Sequence, residues 1–146
     1  AGCQLGTRFV MSRECTAHEN FKNAFLKARA RQASSTPQYD SKLPVVAVRA
    51  IKNKGSEEFG KLQLELLKKL EEGAIGREEA QFEVENFWTG SLRRAVVEGD
   101  IEYGSLMAGQ SVGLINDILP MKKIIETLVE EAEAELEKIA GRLGEK

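Results

Sequence analysis

The sequence is short of the residues that most simply announce a function. Its 146 positions hold one histidine, two cysteines and three prolines. A lone His18 cannot build a histidine-rich metal site, and Cys3, Cys15 and His18 together would still need a fourth ligand, so no metal site is expected. The same three residues contain the types of a nucleophile and a base, but no third group to orient them is evident. Structural cysteines and a histidine at a helix start are the plainer reading. Two cysteines make no disulfide framework, which fits a reducing, cytoplasmic setting. No uncharged run reaches the roughly 18 residues of a membrane span, so no membrane partner is expected. No apolar run preceded by basic residues opens the chain, so no secretory leader is expected. The interleaving of arginine with aromatics that marks a nucleic-acid groove is missing, as are repeats and low-complexity tracts.

What is present is ordinary at first sight. The chain is 42% hydrophobic and 30% charged, with 21 basic against 23 acidic residues, which describes a folded domain able to bury a core. The near-neutral total hides an asymmetry. Residues 1–54 hold 10 Lys/Arg and 3 Asp/Glu, a net of +7, and residues 55–146 hold 11 and 20, a net of −9. The basic part suits phosphates or an acidic partner, and equally two solvated faces of opposite sign. The chain starts at Ala1 rather than Met and runs at once into strand-like sequence.

Residues 3–11 read as a short strand broken at Gly6-Thr7. A helix follows, with Thr16 as N-cap, Glu19 three positions on, and Phe21, Ala24, Phe25 and Ala28 at helical spacing. Residues 32–44 carry turn chemistry, and the β-branched stretch 45–51 reads as a strand or extended segment. Ser56 is the expected cap of a helix whose stripe is Leu62, Leu66, Leu67 and Leu70, ended by Gly73. Two further helices are expected over 77–88 and 91–98. The last helix opens at Pro120, buries Ile124, Ile125, Leu128, Ala132, Leu136 and Ile139, and ends before Gly141. A single opening strand leaves its backbone groups unpaired, so neighbours supplied from elsewhere are expected.

Two stretches could carry chemistry. Gln4-Leu5-Gly6-Thr7 ends a strand-like run at a glycine and a hydroxyl, a pattern that cradles phosphate through free N–H groups and is equally an ordinary turn. Residues 104–113 mix small and apolar residues with three glycines. They suit close approach to a planar ligand or plain helix packing, and Gln110 offers both a donor and an acceptor. No carboxylate pair has a setting that would raise its pKa, and no catalytic residue is assigned.

Taken together these pieces resemble a known family. Gln4-Leu5-Gly6-Thr7-Arg8-Phe9 resembles the last barrel strand of the flavin-dependent enoyl-acyl-carrier-protein reductases and the related nitronate monooxygenases (2-nitropropane dioxygenases). Ser12-Arg13-Glu14 and Ala17-His18-Glu19-Asn20 resemble the start of the next helix. Val48-Arg49-Ala50-Ile51-Lys52-Asn53 is similar to a stretch of the reductase branch. Ser91-Leu92, Ala95–Asp100 and Gly104–Ile115 complete the pattern in family order.

The resemblance implies an α/β fold, the C-terminal segment of a (β/α)8 barrel. Residues 1–54 would hold the last strand, its helix and the following loop or strand. Residues 55–146 would be a mainly helical extension with a flavin-facing segment at 104–115, leaving the chain itself mostly α. A whole barrel takes roughly 200–250 residues or more, so the chain is expected to be the back part of a larger one. The resemblance further implies FMN, with its phosphate on Gln4, Leu5, Gly6 and Thr7 and its ring near Met107, Ala108, Gly109 and Gln110. NADH or NADPH would be co-substrate, and an acyl-carrier-protein-linked or small-molecule compound the substrate. A homodimer is left open. Arg49 and Asn53 match family positions without an assigned role, and the acidic stretch 55–88 reads as an insertion. The family's catalytic histidine and the Gly-Gly turn of its seventh strand have no counterpart here, and His18 does not match that histidine. The expected function is enoyl-acyl-carrier-protein reductase. The alternatives are nitronate monooxygenase and a non-catalytic helical interaction module.

Overall fold

The structure, a computed structural model, describes residues 3–144, with side chains up to residue 142. Among these residues the chain is mostly helical, with one small sheet. The helices are α1 (Thr7–Val10), α2 (Glu19–Lys27), α3 (Lys54–Glu71), α4 (Arg77–Val96) and α5 (Met121–Gly144). Strands β1 (Ala33–Ser35) and β2 (Arg49–Ile51) pair antiparallel with Ser34 opposite Ala50. Two 3-10 turns, Ala30–Gln32 and Gln110–Leu114, complete the order. No described helix is long and apolar enough to cross a membrane.

The strand expected over 3–11 is not formed. Cys3–Gly6 has no regular structure and is exposed, and Thr7 already starts α1. An extended segment becomes a strand only when a neighbour takes its N–H and C=O groups, and no described segment forms a ladder with 3–6. Part of the loop expected over 32–44 is instead β1, and Leu43 within it is buried.

Helix α2 is placed by Phe21 and Phe25, one turn apart and stacked at 4.6 Å between ring centroids. Its cap is His18 rather than Thr16, because the His18 Nδ1 accepts from the Asn20 backbone N–H at 3.1 Å. The cap of α3 is Asn53 rather than Ser56. Asn53 Oδ1 accepts from the Ser56 N–H and the Ser56 hydroxyl receives the Asn53 N–H, the reciprocal pair of a capping box.

A left-handed Gly73, at φ +68, ends the α3 stretch as expected. The two helices expected next are one, α4, which runs through Gly90 without a break. A helical glycine costs about 1 kcal/mol relative to alanine. The buried face continues on both sides of it, with Ala80 and Val84 before and Ser91 and Ala95 after.

Two clusters make the core. Met11, Phe21, Phe25, Leu106, Val112 and Ile115 form the first, and Leu43, Phe59, Leu66, Ala80 and Val84 the second, where α3 and α4 pack as a helical hairpin. Trp88 and Phe87 pack against Phe59 as tilted ring pairs, at 4.5 and 5.1 Å between centroids. The last helix departs most from expectation. Ile124 is 1% exposed, but Ile125, Leu136 and Ile139 are 48%, 66% and 49% exposed. Ala132 is also exposed, Leu128 is partly covered, and the helix continues past Gly141 to Gly144. From Val129 onward no described part of the chain covers α5, so its apolar stripe has nothing to be buried against.

Candidate functional site

The fold brings the two chemistry-bearing stretches together. The Gly109 backbone N–H donates to Thr7 Oγ1 at 2.9 Å. Around this contact lies an open cavity of about 480 Å³, lined on one side by Gln4, Leu5, Gly6, Thr7 and Arg8. Gly109, Ser111, Leu114–Asp117 and the first turns of α5 line the other side.

The segment 105–109 is positioned from behind by β2. The Leu106 carbonyl accepts from the Ile51 N–H at 3.0 Å, and the Ala108 N–H donates to the Arg49 carbonyl at 3.0 Å. Met107 lies opposite Ala50 in an isolated bridge, and Ala108 is buried in the first cluster. Gln110 is exposed at the start of the second 3-10 turn and does not line the cavity. Of the eight residues named from the sequence, Gln4, Leu5, Gly6, Thr7 and Gly109 therefore share one cavity, while Met107, Ala108 and Gln110 flank it.

The donor set can be worked out residue by residue. Helix α1 has one turn, and its first internal bond is Val10 N–H to the Gly6 carbonyl at 3.1 Å. The N–H groups of Thr7, Arg8 and Phe9 precede that bond and have no acceptor within the helix. Gly6 lies at φ −95, ψ −60, a conformation open to any residue, and a Cβ built on it meets nothing within 4 Å. The backbone there can be approached by another group. Thr7 Oγ1 accepts from Gly109, so its own proton remains to be donated. These features fit a phosphate group.

Arg8, missed from the sequence as a site residue, is pinned by Asp117. Its Nη2 lies 2.7 Å from Oδ1, and its Nη1 donates to the Asp117 carbonyl at 3.2 Å. Sequence spacing carries no sign of this pair, because 109 positions separate its members. Arg49 and Asn53 have structural partners. Arg49 Nη1 donates to the Ala33 carbonyl at 2.9 Å, and Asn53 Nδ2 donates to the carbonyls of Ile101 and Gly104 at 2.9 and 2.7 Å. Cys3 is exposed and Cys15 partly buried, and His18 is engaged as a helix cap.

Residues 1–131 match the family described as nitronate monooxygenase. The chain belongs to that family. It is similar to the structure of FabK from Thermotoga maritima, with 36% sequence identity and a TM-score of 0.72 over 94% of this chain and 39% of that one. A methionine-to-alanine variant of the same enzyme matches at 33% identity and a TM-score of 0.65, covering 94% of this chain and 35% of that one. A comparison with curated proteins gives no match. The chain thus spans about two-fifths of the length of these solved structures.

Proposed function

We propose that this chain is the C-terminal portion of an FMN-dependent oxidoreductase on a (β/α)8 barrel, working as an enoyl-acyl-carrier-protein reductase. The observation that carries the reading is the meeting of Gly6-Thr7 with Gly109 in one cavity, with the backbone at Gly6 open to approach. The family match and the 36% identity to FabK support it.

In this reading the first-turn N–H groups of α1 and the Thr7 hydroxyl hold the phosphate. Gly109 fixes the hydroxyl rotor, and Arg8 is turned aside by Asp117 so that it shapes the wall. Met107 and Ala108, held by β2, belong to the segment that would lie near the flavin ring. Bound FMN would supply hydride relay between NADH or NADPH and the enoyl thioester of a carrier-linked acyl chain. The +7 charge of residues 1–54 suits phosphates and an acidic carrier. The unpartnered stripe of α5 and the exposed Cys3–Gly6 suit a chain that packs against further barrel.

Nitronate oxidation with oxygen is the second reading, favoured by the name of the family that matches. The two separate in assay of the protein containing this chain. Reductase chemistry consumes NADH or NADPH with a crotonyl thioester, whereas monooxygenase chemistry takes up oxygen with a nitronate. Oxygen uptake with the nitronate alone would overturn the reductase reading.

A further inference from the structure

A second, smaller cavity lies behind the Met107 segment and shares no lining residue with the first. Its volume is about 20 Å³, and its walls include the apolar side chains of Ile51, Phe87 and Leu106. Trp88 and Ser105 also line it. The Trp88 Nε1 and the Ser105 Oγ are both buried, and neither has a hydrogen-bond partner among the described residues. Ser105 as a whole is 7% exposed.

Buried polar groups are rarely left unpaired, because each has given up its bonds to solvent. The indole N–H can only donate, whereas the hydroxyl both donates and accepts. A space of this size holds one water and no organic ligand, and a water needs at least two polar partners to stay in an otherwise apolar pocket. We infer that the cavity is a binding site for a single ordered water that accepts from Trp88 Nε1 and bonds to Ser105 Oγ. Thr36, Ala50 and Ser56 form a wall shared by this cavity and an open groove beside it.

The bridge ties α4 to the segment that runs on to Gly109. Ser105 is already held there once, its N–H donating to the Ser91 carbonyl at 2.8 Å. The water adds a side-chain link to those made by the bonds from β2 to Leu106 and Ala108. Ser105 is thereby a positioning residue for the 105–109 segment, and the inference stands whether or not the flavin reading does.

Trp88 is the sole tryptophan, so tryptophan emission from the 146-residue chain reports on the surroundings of this one indole. Ser105→Ala removes one of the water's two partners. The water then leaves, the indole sits dry, and the emission maximum moves to shorter wavelength. Emission unmoved by the substitution overturns the inference, as does a move to longer wavelength, which reports bulk solvent at the ring. A high-resolution crystal structure of the chain supplies the second arm. Density for a water within about 2.7–3.2 Å of both atoms supports the assignment. A direct bond from Trp88 Nε1 to Ser105 Oγ, or no density between them, overturns it.

Discussion

Gly109 donates its backbone N–H to the hydroxyl of Thr7 across 2.9 Å, although 102 positions separate the two residues. The bond closes the chain's first element against the segment after α4. It also decides what each partner can still do. The glycine amide is spent, and the threonine oxygen has one lone pair used and its proton free. A Cβ on Gly109 would stand 3.4 Å from Thr7 Oγ1 and 3.5 Å from Ser111 Oγ, so the space beside the glycine is bounded by these two hydroxyls at ordinary contact distance.

Replacing the acceptor should therefore cost more than trimming it. Thr7→Val leaves the part-buried Gly109 N–H unpaired and should destabilise by about 1–3 kcal/mol, while Thr7→Ser keeps the bond and should cost less. Urea denaturation of the two variants checks this, and faster amide exchange at Gly109 in Thr7→Val locates the loss.

Gly99 is the second sensitive position. It sits at φ +73, and a Cβ there would fall 2.2 Å from His18 Nδ1, on an imidazole already fixed by its bond to the Asn20 N–H. Gly99→Ala should cost on the order of 1–3 kcal/mol from its backbone conformation alone, with the clash added. His18→Ala in the same chain should recover the clash but not the backbone cost. Denaturation midpoints of the single and double variants measure the split.

Asp100 makes stability depend on pH in the acid range. The Tyr103 backbone N–H chiefly holds its carboxyl below the usual range, helped by Arg94 and the Glu102 N–H, against the opposing effect of burial. The three bonds measure 2.9, 2.7 and 3.0 Å respectively. Because the folded pKa lies below the unfolded one, the contribution is complete above the ordinary aspartate value and fades as pH falls through the folded value. Asp100→Asn should lower stability at neutral pH and flatten its decline below about pH 4. Denaturation at both pH values tests this; an unchanged slope would contradict it.

Helix α5 should divide into two parts. Ile124, 1% exposed, anchors the first turn, and Ile124→Ala should cost about 2–5 kcal/mol. Leu136, 66% exposed, packs on nothing described, so Leu136→Glu should change stability by no more than about 0.5 kcal/mol. It should also reduce self-association of the isolated chain, because a contiguous exposed apolar stripe is adhesive. Thermal melts and sedimentation velocity give the two readouts.

The sequence made some of this legible and not the rest, for physical reasons. Phe21 and Phe25, or Leu66 with its neighbours, declare their helices because periodicity is a local signal. The caps lie two or three residues from where residue type alone puts them. Thr16 and Ser56 are good capping types, but His18 and Asn53 have acceptors that reach a free N–H, and only the folded backbone shows which side chain does. Cys3–Gly6 has strand composition without a strand, because pairing is non-local.

The stripe of α5 is a true amphipathic pattern whose other half is absent among the described residues. At the site, Gly6-Thr7 and Gly109 each stood out as types able to approach a ligand. That they touch, and that Arg8 pairs with Asp117, depends on contacts across more than a hundred positions.

Titration of FMN into the chain and into Gly6→Val tests the central claim most directly. A Cβ at Gly6 meets nothing in the structure and the backbone there is open to any residue, so the variant should keep its helices and its melting temperature. The account expects saturable binding, followed by the flavin's visible absorbance, that weakens at least about tenfold in Gly6→Val, a loss of about 1.4 kcal/mol or more. Equal binding by the two proteins, or no saturable binding by the parent chain, would contradict it.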